Sequence, residues 1–173
     1  RAGITAVTLS LANDESTPEQ TLEYIAAVRK HITAHPEKYI LATTADDIVR
    51  AKRENKMALR LMFQGTAPIG KNLNFVELYH RLGISSMILA YNIRTPVGDG
   101  VIEEHDAGLS HLGKRFIAEM NAVGMIIDSS HTGYKTTMDA LQLSRLPVVI
   151  SHSAIFGVHK HVRNVTDDQI HAV

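Results

Sequence analysis

Short apolar runs alternate with longer amphipathic stretches along the chain. The apolar runs are bounded by polar turn residues and are almost continuously hydrophobic, which is typical of parallel strands covered by helices. No Asn-Gly hairpin signal joins one run to the next. The pattern therefore predicts an α/β fold, and its five predicted strands cover residues 4–9, 57–63, 86–90, 125–127 and 148–150.

The stretches between these strands carry helix-start and helix-stop signals. Ser110 is placed to cap a helix that ends at Gly124, residues 73–82 and 134–143 have helical spacing of apolar positions, and residues 92–109 form a long polar loop. Three further helices are predicted to begin with a capping box, in which a Thr is followed three residues later by a side chain that bonds back to it. These pairs are Thr17 with Gln20, Thr44 with Asp47, and Thr166 with Gln169.

Alternating strands and helices fit either an open doubly wound sheet of the flavodoxin-like kind or a (β/α)8 TIM barrel. A closed barrel typically needs ~250 residues, so 173 residues supply about five of its βα units. We favour the barrel, with residues 1–173 forming one domain made of its central units. Isolated, such a piece is expected to be inactive, since it would leave sheet edges open.

The composition argues against several classes of binding partner and of functional site. Lys plus Arg and Asp plus Glu each total 18, so the formal charge is zero, and no basic stretch predicts a nucleic-acid or membrane partner. No run approaches the ~18 apolar residues of a membrane span. The absence of cysteine excludes disulfides and thiolate metal sites and favours the cytosol. The P-loop, GxGxxG, GxSxG and HExxH motifs are also absent.

Two histidines follow consecutive predicted strands. His131 comes after residues 125–127 and His152 after residues 148–150, at the carboxyl edge where α/β enzymes place their sites. Neighbouring strands lie about 4.8 Å apart, so both imidazoles are within reach of one metal ion. Alternatively, each histidine is a polar residue that ends a strand and bonds a loop.

Other polar side chains stand near the same edge. Gln64 and Tyr91 end predicted strands. Asp128 is placed either to orient a ligand imidazole by a hydrogen bond, without contacting the metal, or simply to end its strand. Arg163, in the loop after His152, is either a carboxylate clamp or a surface arginine.

As a set, these residues belong to a longer pattern that resembles the membrane (renal) dipeptidase family of zinc peptidases, M19. The resemblance runs through the whole chain and is strongest over residues 107–170. It implies a (β/α)8 barrel with one or two Zn²⁺ ions at its mouth, His131 and His152 as ligands, and Arg163 as the residue that receives a substrate carboxylate. The motifs that carry it are GLS at 108–110, EMN at 119–121, DxxH at 128–131, PVxxSHS at 147–153 and RN at 163–164.

The chain departs from the family pattern at two positions. Gln64 stands where the family's archetype has a glutamate that bridges two metals, and Tyr91 stands where it has a histidine that contacts the substrate. A neutral amide is a weaker ligand than a carboxylate, so Gln64 is expected to weaken the binding of a second metal. Tyr91 can donate a hydrogen bond to an oxyanion but cannot act as an imidazole base.

The resemblance implies a zinc-dependent dipeptidase acting on a small dipeptide-like substrate through a metal-activated water. A homodimer is compatible with this interpretation. Two alternatives stay open within the barrel fold, a mononuclear amidohydrolase on another small amide and a metal- or ligand-binding barrel without turnover.

Overall fold

The computed structural model describes residues 3–173, in which strands and helices alternate. The strands are β1 Ala6–Asn13, β2 Tyr39–Leu41, β3 Met57–Gln64, β4 Ile84–Ile88, β5 Ile126–Asp128 and β6 Val148–Val149. The helices are α1 Pro18–Ala34, α2 Ala45–Arg53, α3 Asn74–Arg81, α4 His111–Val123, α5 Tyr134–Leu143 and α6 Asp167–Ala172.

All strand pairings are parallel, and the main path through the sheet is β1-β3-β4-β5-β6. This order advances in one direction along the chain, whereas a doubly wound sheet reverses its strand order at a switch point. The described strands are therefore an arc of a (β/α)8 barrel, and the flavodoxin-like alternative is wrong. The five predicted strands correspond to the five strands of the main path.

The sequence pattern missed β2, which pairs with the first half of β3, from Tyr39 opposite Met57 to Leu41 opposite Leu59. On the other half of β3, Leu61 to Phe63 pair with β4. A three-residue strand is too short to show a periodic pattern, so nothing in the apolar spacing marks it.

Several predicted boundaries were wrong by two or more residues. β1 starts at Ala6 and continues to Asn13, where the prediction covered residues 4–9, and β4 lies two residues earlier than predicted. The helix signals were more accurate. All three capping boxes form, Ser110 caps α4, and Gly124 ends it with φ 77°. No helix within residues 3–173 has both the length and the apolarity to cross a bilayer.

The two faces of the sheet have different environments. Between one face and the helices lies the main core, where Phe63 and Tyr79 meet edge-on with ring centroids 4.9 Å apart. The other face carries alternate residues of all five main strands and lines a cavity of about 510 Å³. The rim of this cavity at the carboxyl ends of the strands is formed by Gln64, Asp128, Ser151 and His152. The alternation therefore places polar side chains at the carboxyl end of the barrel interior.

Candidate functional site

His131 and His152 meet at the carboxyl ends of β5 and β6. The two strands pair directly, with Ile127 opposite Val148 and Asp128 opposite Val149, so the segments that follow them leave the sheet side by side. The Nε2 atoms of the two imidazoles are 3.0 Å apart, and the ring centroids are 5.0 Å apart. The predicted convergence of these two side chains is thus present.

The other nitrogen of His131 is held by a residue from the β4–α4 loop. Nδ1 of His131 lies 2.8 Å from Oδ1 of Asn92. An amide oxygen only accepts hydrogen bonds, so Nδ1 carries the proton and donates. Nε2 of His131 is then left with its lone pair, directed at His152.

A relay of two residues holds His152. Ser151 Oγ lies 2.8 Å from Nδ1 of His152, and its hydroxyl donates to the carboxylate of Asp128. Because the single hydroxyl proton is used on Asp128, Oγ accepts from Nδ1–H of His152. Asp128 is 1% exposed and also accepts the backbone N–H of Ser130 at 2.9 Å. Asp128 therefore reaches an imidazole through Ser151 and not by direct contact.

These two sets of partners leave a pair of Nε2 lone pairs facing each other. A hydrogen bond between them would require one ring to be doubly protonated, and burial lowers the pKa of His131 to about 4, helped by the nearby charges of Arg163 and His152. At neutral pH His131 is accordingly an uncharged acceptor. A cation bound by both Nε2 atoms would offset the repulsion between their lone pairs.

The donor chemistry fits an ion of the zinc type. Two imidazole nitrogens bound to one zinc ion at ~2.0–2.1 Å and a tetrahedral angle lie about 3.3 Å apart, close to the observed separation. Within residues 3–173 no group of three or more His, Asp or Glu side chains is arranged to hold a metal. The described part of the site thus offers two imidazoles to a metal.

The backbone at this site is unusual. Both His131 and Asn92 adopt left-handed conformations, with φ of 68° and 67°. Such residues cost of order 1–3 kcal/mol each and persist only where the surroundings fix them. The carbonyl of His131 accepts hydrogen bonds from the N–H groups of Val101 at 2.9 Å and Asn92 at 3.3 Å, which tie it to the β4–α4 loop. The loop and the histidine hold each other in place.

The remaining predicted residues surround the pair. The ring of Tyr91 stacks on that of His131, with centroids 3.8 Å apart and an angle of 21°. Nη2 of Arg163 donates to the carbonyl of His152 at 2.9 Å. Gln64 lines the same cavity as His152, but no hydrogen bond within the described residues joins it to either imidazole.

Arg163 is a partly buried cation beside the imidazole pair. Its side chain is half-buried, and burial lowers the pKa of its guanidinium. None of the ion pairs within residues 3–173 involves it. A partly desolvated guanidinium without a paired carboxylate is suited to accept an anion from outside the chain.

Sequence reasoning missed Asn92 and Ser151. Each directly follows or precedes a residue that the sequence did single out, Tyr91 in one case and His152 in the other. A polar residue beside a candidate ligand is the only signal available, and it does not reveal which imidazole the side chain will meet.

We predict that the imidazole of His131 titrates with a pKa near 4 in chelator-treated protein, because burial and the charge of Arg163 both oppose its protonation. Replacing that cation by Arg163→Met should raise the pKa, whereas Arg145→Met, on an exposed loop, should leave it unchanged. Histidine-selective NMR titration measures both. A His131 pKa at or above its ordinary value of 6.5 would contradict the proposed neutral acceptor.

Comparison with known proteins extends the resemblance found in the sequence. Dipeptidase tcpJ of Claviceps purpurea is 33% identical over 149 residues, covering 85% of this chain and 35% of the relative. An uncharacterized dipeptidase of Schizosaccharomyces pombe is 33% identical over 167 residues, covering 91% of this chain and 40% of the relative. The chain thus spans between a third and two fifths of these relatives.

A solved structure agrees with the fold. The crystal structure of an amidohydrolase from Pseudomonas aeruginosa superposes with a TM-score of 0.93 at 32% identity, covering 98% of this chain and 52% of that one. The model of the family described as membrane dipeptidase, peptidase family M19, matches residues 3–173. The solved structure of dipeptidase AC, another protein of family M19, is described as that of a metallo peptidase. The chain belongs to the membrane dipeptidase family, peptidase family M19.

Proposed function

We propose that the protein containing this chain is a zinc-dependent hydrolase that cleaves the amide bond of dipeptides or similar small amides. The observation that carries the proposal is the approach of the Nε2 atoms of His131 and His152 to 3.0 Å in a chain of a dipeptidase family. Imidazole is a ligand suited to zinc, and each ring has an outer partner that fixes its tautomer.

His131 and His152 would hold the metal, with Asn92 and the Asp128–Ser151 relay keeping both rings in orientation. A divalent metal in such a site lowers the pKa of a coordinated water and polarises a carbonyl oxygen. The side chains of this chain would bind the metal and the substrate and align them with each other. Small errors in this alignment reduce the rate of hydrolysis steeply.

Arg163 would bind the C-terminal carboxylate of the substrate. Its bond to the carbonyl of His152 fixes the guanidinium beside the imidazole pair, so a carboxylate held there brings the adjoining amide bond toward the histidines. We therefore expect a preference for short substrates, since a longer C-terminal extension has no free carboxylate next to the scissile bond.

Tyr91 would donate a hydrogen bond from its hydroxyl to the oxygen that becomes negatively charged during hydrolysis. Among the described residues Tyr91 Oη makes no hydrogen bond, and the stacked position over His131 keeps the ring at the mouth. A fixed donor at this place stabilises charge that develops in the transition state.

A mononuclear amidohydrolase is a second candidate, and it is favoured by Gln64. A neutral amide oxygen binds a divalent cation less well than a carboxylate does, so one tightly bound metal is the expected occupancy if Gln64 is the only additional ligand at the end of β3. The number of metal ions per chain separates this candidate from a binuclear dipeptidase.

The protein expressed from its complete reading frame should contain zinc that is lost in His131→Ala and in His152→Ala. His171→Ala, an exposed histidine on α6, should retain it and is the control. Plasma mass spectrometry gives the metal per chain, and release of amino acids from a dipeptide panel gives activity. Wild-type protein that is loaded with zinc and cleaves no dipeptide or small amide would leave a binding barrel without turnover. A metal content unchanged in both variants would contradict the assigned ligands.

Arg163→Met should lower kcat/KM for dipeptides by about 100-fold, since the charge-assisted bond to the substrate carboxylate is lost. For the same dipeptides with an amidated C-terminus the variant and the wild type should differ little. Arg145→Met is the matched control. An equal loss on both substrate sets would show that Arg163 does not recognise the carboxylate.

A further inference from the structure

Asp14, which directly follows β1, lies beside the candidate site without taking part in it. Oδ1 of Asp14 accepts the backbone N–H of Thr66 at 2.8 Å, and Oδ2 accepts the backbone N–H of Tyr91 at 2.8 Å. The first N–H belongs to the loop after β3 and the second to the segment after β4. One carboxylate thus joins the carboxyl ends of three neighbouring barrel strands.

The surroundings are shaped for this carboxylate. Gly65 passes so close that a Cβ atom there would clash with Asp14 Oδ1 and with the backbone N of Asp14. Within residues 3–173 no ion pair involves Asp14, so backbone amides are what compensates its charge. Burial raises the pKa of Asp14, while hydrogen bonds from Tyr91, Thr66 and Ala67 act in the opposite direction.

A half-buried carboxylate of this kind is costly unless its hydrogen bonds are made, and removing it leaves two N–H groups without their partner. The N–H of Tyr91 is the important one for chemistry. Tyr91 is the last residue before Asn92, and its ring stacks on His131 at 3.8 Å. A shift of the Tyr91 backbone therefore moves both the stacked ring and the residue whose amide orients His131.

We propose that Asp14 is a positioning residue that holds Tyr91 over His131 through the Tyr91 backbone N–H. Its effect on turnover rests on the proposed hydrolase function, but its effect on the Tyr91–His131 contact does not. Asp14 acts only through the backbone and touches neither imidazole. Nothing in the sequence pattern marks it, since it is one polar residue in a turn of several.

Asp14→Asn tests the inference, because the amide keeps the size of the side chain but replaces one acceptor by a donor. Asp47→Asn is the matched control. Asp47 also accepts two backbone N–H groups, those of Thr43 at 3.0 Å and Thr44 at 3.1 Å, but it caps α2 on the protein surface. Both variants are made in the protein expressed from its complete reading frame.

The first readout is the nuclear Overhauser effect between the rings of Tyr91 and His131 in selectively labelled protein. We expect it to weaken clearly in Asp14→Asn and to be unchanged in Asp47→Asn. This readout needs no turnover, so it decides the inference even if wild-type protein proves inactive and the proposed function fails. An unchanged contact in a folded Asp14→Asn protein would overturn the inference.

The second readout is kinetic. Misplacement of a group at the mouth should lower kcat for dipeptides about tenfold in Asp14→Asn, with little change in KM, while Asp47→Asn stays within about twofold of wild type. In a Tyr91→Ala background the same Asp14→Asn change should cost less than about twofold, because Asp14 would act through Tyr91. An undiminished penalty in that background would show a role independent of Tyr91. If Asp14→Asn fails to fold, Asp14→Glu, which keeps the charge but displaces the oxygens, should show the same loss of ring contact.

Discussion

The parallel pairing of β5 with β6 is the constraint on which the site depends. Because of this pairing, the two strands end side by side at the same edge of the sheet. The histidines that follow them lie with their Nε2 atoms 3.0 Å apart. Two like acceptors do not approach each other without an external cause. Here the cause is the hydrogen bond that each ring makes through its Nδ1 atom, to Asn92 in one case and to Ser151 in the other. These bonds orient both rings so that their Nε2 atoms face each other.

Those hydrogen-bond partners come from three different strand ends of the barrel. The positions of the two imidazoles therefore depend on all three segments together. Asn92 belongs to the loop after β4, Asp128 ends β5, and Ser151 follows β6. The positive φ angles of Asn92 and His131 indicate that the backbone is held in place by this network, since neither conformation is intrinsically favoured. Both charged residues of the site lie near the imidazole pair: Asp128 reaches His152 through Ser151, and the Arg163 guanidinium donates to the carbonyl of His152 and helps lower the pKa of His131.

The main strands, the helix starts and the two histidines of the site could be predicted from the sequence. The elements and residues that were missed were missed for physical reasons. Continuous apolar runs identified the five main strands because buried parallel strands need them, and capping boxes identified helix starts because those hydrogen bonds are local. β2 was missed because three residues carry no period. Asn92, Ser151 and Asp14 were missed for another reason. Their importance comes from contacts between loops that are distant in sequence, for instance the 77 positions between Asp14 and Tyr91.

The positions of Tyr91 and Gln64, the two departures from the family pattern, can be interpreted from the geometry of the imidazole pair. Tyr91 occupies the face of His131 by stacking, a role that a ring can fill without acting as a base. Gln64 lies on the rim of the barrel cavity as a neutral residue, so the imidazole pair is the part of the described site best suited to a cation.

The most direct test of the account is anomalous X-ray diffraction at the zinc edge on crystals of the zinc-loaded protein expressed from its complete reading frame. The account predicts an anomalous peak between the two rings, at ~2.0–2.1 Å from Nε2 of both His131 and His152, with Asn92 and Ser151 still bonded to the Nδ1 atoms. A zinc peak elsewhere, or one bound through an Nδ1 atom, would contradict it.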